Sequence, residues 1–225
     1  GGTYASLSRV LEEAQKDKTI YKVLTNPYGL NPKNDQIGED KSDLKSVVFD
    51  NASKSWIGPF IMASINTKVV RRSNSISGHS YGKSFRYDEA TIFGKGLFGR
   101  IKGILSTISI GLVMYAKHGS LLKKFLDSFF PIPGDGPTRK KMEKGFYNLR
   151  FYITLEDGSN AFAKVTGDMD PGYGSSSKML AESAVCLAKD KLPNTSGILT
   201  PSVAMGNSLL KRLEKNAGLK FSFEN

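Results

Sequence analysis

At 225 residues with 39% apolar content, the chain is long enough to bury a substantial core, and its composition excludes the disordered, collagen-like and disulfide-stapled classes. Cys186 is the single cysteine, which excludes an intrachain disulfide and a thiolate cluster for zinc or iron and sulfur, and fits a reducing compartment. An excess of 32 Lys and Arg over 21 Asp and Glu gives +11, enough to draw the chain toward phosphate-rich partners or anionic membrane; the cations are dispersed, without zinc-finger spacing, RNP aromatics or a basic arm, so specific nucleic-acid recognition is not expected.

Leu7, Val10, Leu11 and Ala14 fall at i, i+3, i+4 and i+7, so the chain opens on a predicted amphipathic helix with Thr3 at its cap. Residues 26–45 are Asn-, Pro- and Asp-rich with few apolar positions, the pattern of a long mobile surface loop. A short strand is predicted over 46–49. Gly58 and Pro59 then supply cap and first-turn chemistry for a helix with Ile61, Met62, Ile65 and Val69 on its inner face, closed by Arg71 and Arg72 against the helix dipole. A polar turn over 78–83 leads to a strand over 84–93.

Ile101, Ile104, Leu105, Ile108, Leu112 and Tyr115 form a wide helical stripe. The uncharged run 103–116 is shorter than the roughly 20 residues a spanning helix needs, so a transmembrane segment is not expected. Prolines and glycines over 131–137 break the chain. Tyr147, Leu149, Phe151, Ile153 and Leu155 alternate with polar residues, and Asp157-Gly158 turns this strand back on an antiparallel partner over 161–165. A helix after Gly174 carries Met179, Leu180, Ala184 and Leu187, another covers 204–216, and 221–223 forms a last strand. Hairpin-paired strands among helices predict an α+β (mixed α/β) fold, a largely antiparallel sheet covered by helices rather than a doubly wound one.

Gly94, Gly96 and Gly99 match G-x-G-x-x-G, but the acidic residue about 20 positions on that would hold a ribose is missing, so the match is read as fortuitous. Ser175 and Lys178 match S-x-x-K without the companion motifs, and Ser175 is expected to cap a helix. The Gly-rich approach 167–178 is the better ligand candidate: its N–H groups and Lys178 converge where an anion would sit. His79 and His118, the two histidines, have no ligand-spaced neighbours, and no metal site is expected. The pairs Asp88 with Glu89 and Asp168 with Asp170 are read as strand-edge and turn residues. Segment 94–126 is basic, free of acid and apolar in its middle. It is either a core helix with solvated ends or a lipid-facing one contacting a membrane or lipid-droplet surface through Arg100, Lys102, Ile104, Leu112, Lys123 and Lys124.

Three stretches carry a resemblance to a family: Gly-Gly-Thr-Tyr-Ala-Ser at 1–6, Pro-Phe-Ile-Met-Ala-Ser-Ile-Asn-Thr-Lys-Val-Val-Arg-Arg-Ser at 59–73, and Asp-Pro-Gly-Tyr-Gly at 170–174 running on to Lys-Met-Leu-Ala-Glu at 178–182. Gly-Ile-Leu-Thr-Pro at 197–201 and Ala-Met-Gly at 204–206 extend it. These resemble the saccharopine dehydrogenase-like oxidoreductases and the related trans-acting enoyl reductases. The resemblance implies that 1–225 is the C-terminal substrate and dimerisation domain of a two-domain reductase, and the chain beginning at Gly1 is expected to be a fragment. NAD(P) is implied for the complete protein, and no cofactor-binding residue is expected here. A Rossmann domain in cis or trans and a second copy of the chain are the implied partners, in an intracellular, cytoplasmic setting. The resemblance places Asn66, Arg71, Arg72, Asp170, Tyr173 and Lys178 along a substrate cleft, with Tyr173 or Lys178 as candidate proton donor. The alternative is a non-catalytic lipid-surface-associated or scaffold protein derived from this fold.

Overall fold

The structure, a computed structural model, describes residues 2–116, 120–129 and 135–224. His118 and much of the 131–137 break lie outside these, as does the side chain of Lys123. The chain divides into two compact units, Gly1–Asp135 and Gly136–Asn225. The α+β expectation holds, realised as a three-stranded antiparallel sheet in each unit.

In the first unit, α1 (Gly2–Lys16) starts ahead of Thr3, so Thr3 lies within the first turn rather than at its cap. Asp17 ends it and caps α2 (Lys18–Thr25), a helix not anticipated from sequence, by accepting from the Thr19 N–H at 2.6 Å. An irregular stretch holding one 3-10 turn (Lys33–Asp35) leads to β1 (Val48–Asp50), β2 (Ser55–Pro59), α3 (Ala63–Ile76), β3 (Ala90–Gly94), α4 (Gly96–Tyr115) and α5 (Leu121–Asp127). The sheet order is β1-β2-β3. Of the strand expected over 84–93, only β3 pairs.

The reading of α3 needs three corrections. Gly58 and Pro59 belong to β2, where Gly58 pairs with Thr91 and Pro59 with Ala90, rather than to the helix start. Arg71 and Arg72 sit mid-helix, so dipole compensation in a last turn is not their role. The buried face is also not the apolar one. Ile61 and Ile65 point to solvent while Ala63, Thr67, Arg71 and Asn74, spaced by four, four and three residues, form the enclosed stripe. The reason is the irregular chain over α3: carboxylates and a carbonyl of the 26–45 stretch bond Thr67 and Arg71, and the 78–83 turn bonds Asn74, groups that an apolar stripe would leave unpaired.

Helix α4 lies on β2 and β3, and the small Gly103 permits the approach, since a Cβ there would stand 2.9 Å from Val47 Cγ1 and 3.1 Å from Phe93. It runs 20 residues because the helix extends through the charged positions Arg100 and Lys102 to Gly96. The length argument from the uncharged run is therefore corrected: Gly96–Met114 is long and apolar enough to cross a membrane.

In the second unit, α6 (Arg139–Lys144) is capped by the Thr138 hydroxyl, and β4 (Tyr147–Thr154) and β5 (Asn160–Gly167) form the expected hairpin. The Gly158 N–H donates to the Leu155 carbonyl, and Gly158 adopts φ 82°, as an Asp-Gly turn requires. α7 (Gly174–Lys189), α8 (Pro201–Asn216) and β6 (Leu219–Glu224) follow, with β6 on the far side of β5. Cys186, Met205 and Leu209 make the core, joined by Leu192, Ala204 and Leu213. The stripe expected on α7 is corrected in part: Leu180 and Leu187 are exposed, and Ser175 and Cys186 face inward.

Candidate functional site

In the first unit, Arg71 is the hub of a buried polar cluster. Its Nε donates to Asp40 Oδ2 at 2.5 Å, Nη2 to the Tyr87 carbonyl at 2.8 Å and Nη1 to the Pro27 carbonyl at 3.2 Å, with the guanidinium 5.7 Å from the Tyr28 ring centroid. Arg and Asp side chains are 3% and 7% exposed, so the ion pair is desolvated and gains its stability from this full set of hydrogen bonds. The Tyr28 hydroxyl in turn accepts from the Asp40 N–H at 2.9 Å. Arg72 donates to the Leu30 carbonyl, so both arginines fasten the 26–45 stretch.

Beside this hub the Asn66 amide donates to Glu89 Oε2 and the Tyr87 hydroxyl to Glu89 Oε1, each at 3.0 Å. Burial raises the proton affinity of Glu89 above the ordinary glutamate value, outweighing those two hydrogen bonds, and Asp43 and Asp88 push the same way. Burial, then the Glu89 charge, holds the Tyr87 phenol above its usual range. Burial lowers the Lys68 pKa, with Asp43 opposing, while its Nζ donates to the Ser64 carbonyl at 2.7 Å. Thr67 Oγ1 lies 3.0 Å from Asp43 Oδ1. Groups with displaced proton affinities gathered around one helix are the mark of a functional site as well as of a structural network. Glu89 does sit at a strand edge, immediately before β3, yet its half-buried bonds to Asn66 and Tyr87 go beyond an edge role.

A cavity of about 230 Å³ opens on this cluster, lined by Tyr28, Asn31, Asp35, Arg71, His79 and Lys83 among others. Two acceptors in the first unit, Asn31 Oδ1 and Asp35 Oδ2, are buried and take no hydrogen bond from the described residues. A donor-bearing ligand group or a water would satisfy them. His79, in the predicted polar turn at φ 60°, lies 3.5 Å from Asp35 Oδ2. Periodicity gave no signal for this cavity, because apart from Arg71 and Asn74 of α3 its wall comes from irregular chain.

In the second unit, Asp170 holds the start of α7. Its Oδ2 accepts from the Tyr173 N–H at 2.7 Å and the Gly174 N–H at 3.3 Å, and its carbonyl accepts from the Ser175 N–H. A carboxylate of the chain itself thus stands at this helix start. Lys178 finds its counter-charge in Asp168, at 3.6 Å. Ser175 is not the cap but a fully buried first-turn residue, its Oγ 3.0 Å from the Tyr147 hydroxyl. Tyr173 stands at the helix boundary, 40% exposed. Arg212, not anticipated from sequence, ties α8 to α7 through Asp190 (2.6 Å, twice) and Glu182 (3.2 Å).

Of the six residues expected along a cleft, Asn66, Arg71 and Arg72 lie on α3 of the first unit, and Asp170, Tyr173 and Lys178 lie at or near the start of α7 in the second. Among the described residues no group of three His, Cys, Asp or Glu is placed to hold a metal ion. The Gly94–Gly99 motif does link a strand to a helix, but β3 belongs to an antiparallel sheet and Leu97 and Phe98 lie exposed where a pyrophosphate would sit.

The class these features define is a mixed α+β chain with two small antiparallel sheets, a polar cavity and a tied, Gly-rich helix start. Its sequence is similar to proteins named trans-acting enoyl reductases. A provisionally named one from Mycobacterium tuberculosis (strain ATCC 25618 / H37Rv) is 35% identical over 225 residues, covering 95% of this chain and 54% of the relative. Those of Mycobacterium bovis (strain BCG / Pasteur 1173P2) and Mycobacterium ulcerans (strain Agy99) are 32% identical, each covering 95% of this chain and 53% of the relative. The chain spans about half the length of the curated relatives it matches. No family model matches it, and no solved structure does so significantly.

Proposed function

We propose that this chain is the substrate-side portion of an NAD(P)-dependent reductase of the saccharopine dehydrogenase-like class, acting on an enoyl group. The single observation that carries this is the similarity over 95% of the chain to proteins named trans-acting enoyl reductases. The two antiparallel sheets of the described residues support a reading of this chain as a portion other than a parallel dinucleotide fold. In this reading the nucleotide is held by a Rossmann domain supplied in cis or trans, and the chain works as a dimer.

Reduction of an enoyl group adds hydride to one carbon and leaves negative charge that a proton must quench on its neighbour. When bound, the nicotinamide would supply that hydride, and this chain's own residues would supply the proton. For the proton, the candidates are Tyr173, an exposed residue at the start of α7, and Lys178, whose ammonium lies 3.6 Å from Asp168. Asn66 and Arg71 hold the α3 wall through Glu89 and Asp40, as positioning residues rather than reacting ones.

The test is a fluorescence titration of the complete protein with NADPH and NADH, followed by turnover of an enoyl thioester. Failure to bind either nucleotide sinks the reading. With activity in hand, Tyr173→Phe is expected to lower kcat by about 10²-fold or more with KM little changed.

A further inference from the structure

Helix α4 leaves a face uncovered that the first unit does not use. Only 11% of its apolar stretch Gly96–Met114 is buried, which a core helix of a soluble unit would not show. At about 100° per residue, Leu97, Phe98, Ile101, Ile104, Leu105, Ile108 and Leu112 fall within an arc of about 120°. All seven are exposed, Phe98 at 80% and Leu97 at 69%. Arg100 and Lys102 project about 40° beyond the two edges of that arc, one on each side. No acid occurs between Glu89 and Asp127. Beyond α4 the exposed Leu121, Phe125 and Phe129 continue the apolar character, with Lys124 among them.

We infer that the outer face of α4 is a docking surface for an anionic lipid bilayer, lying in the boundary between headgroups and acyl chains. An apolar stripe with a cation on each flank matches that boundary, because the apolar side chains enter the acyl region while Arg and Lys reach back to headgroup phosphates. A groove of about 250 Å³ along the same helix repeats the pattern locally, with Val47, Ile104 and Ile108 beside Lys45 and Arg100. Spanning is disfavoured: the opposite face, with Gly99 and Gly103, is packed on the sheet, so crossing would drag β2 and β3 into hydrocarbon or strip them from the helix. A second copy of the chain fits worse, since pairing two such faces would bring cations against cations. The surface goes beyond the reductase reading and stands without it, as vesicle binding needs no nucleotide.

The experiment is flotation of the 225-residue chain with phosphatidylcholine vesicles with and without phosphatidylserine. The chain is expected to float with the phosphatidylserine vesicles, to stay behind with phosphatidylcholine alone, and to be released by salt. The double variant Phe98→Glu/Leu105→Glu is expected to lower the partition coefficient by at least about tenfold. Lys102→Glu, on an exposed flank, lowers it about tenfold without touching packed residues and keeps the test valid if the double variant is unstable. Absence from both floating fractions, equal flotation with both vesicles, or undiminished binding by Lys102→Glu overturns the proposal. So does a lipid-free dimer in sedimentation velocity that the double variant abolishes, which would assign the face to a second copy.

Discussion

Arg71 and Asp40 stand 31 residues apart in sequence yet meet at 2.5 Å with both side chains almost wholly enclosed, so one ion pair fastens the irregular 26–45 stretch to the middle of α3. A charge pair at that depth is held by its surroundings: three hydrogen bonds from the guanidinium, and the Tyr87 N–H at 3.3 Å from the carboxylate.

Removing one partner leaves the other buried and uncompensated. Arg71→Met is expected to destabilise the chain by about 3–5 kcal/mol, read from urea unfolding, and Arg71→Met/Asp40→Leu to recover much of that loss. A double variant no more stable than the single one would show that the pair's hydrogen bonds to Pro27 and Tyr87, rather than its charge, carry the effect.

Glu89 makes stability depend on pH. Its folded proton affinity is raised, so between the ordinary glutamate value near 4.5 and the higher folded value the native state binds more protons than the unfolded one. Stability from this group is present at low pH and is lost as pH rises through that window. Glu89→Gln should flatten this part of the curve when thermal unfolding is followed across mildly acidic pH.

The apolar faces of α7 and α8 make opposite predictions for similar residues. Leu209 lies in the core with Cys186 and Met205, and Leu209→Ala should cost about 2–4 kcal/mol. Leu180 is 73% exposed, and Leu180→Ala should change stability by less than about 0.5 kcal/mol in the same denaturation series.

Gly206 breaks α8 with φ 46° and ψ −129°, a conformation that a side chain resists. Gly206→Ala is expected to lose about 1–3 kcal/mol of stability. If it gained stability instead, the kink would be a tolerated irregularity that the alanine straightens, a result circular dichroism would show as added helix.

What the sequence determined by itself was local. Asp157-Gly158 set the β4–β5 hairpin because its geometry is decided within four residues, and the stripe from Ile101 to Tyr115 set α4 because periodicity alone decides a long helix. Antiparallel pairing, and hence the fold class, followed from the turns. Which face of a helix is covered depends on what arrives from elsewhere in the chain, and there sequence periodicity failed. Before and on α3, the apolar Ile61 and Ile65 are expected inward, but the distant 26–45 stretch, with its Asp40 and Asp43 carboxylates, bonds Thr67 and Arg71, and the 78–83 turn bonds Asn74, so the polar stripe is the covered one. On α7, Asp170 and Asp168 supply the charges that Lys178 and the first-turn N–H groups asked for. Short-range backbone preference can be read along a chain, but the satisfaction of buried hydrogen-bonding groups belongs to pairs that only folding brings together.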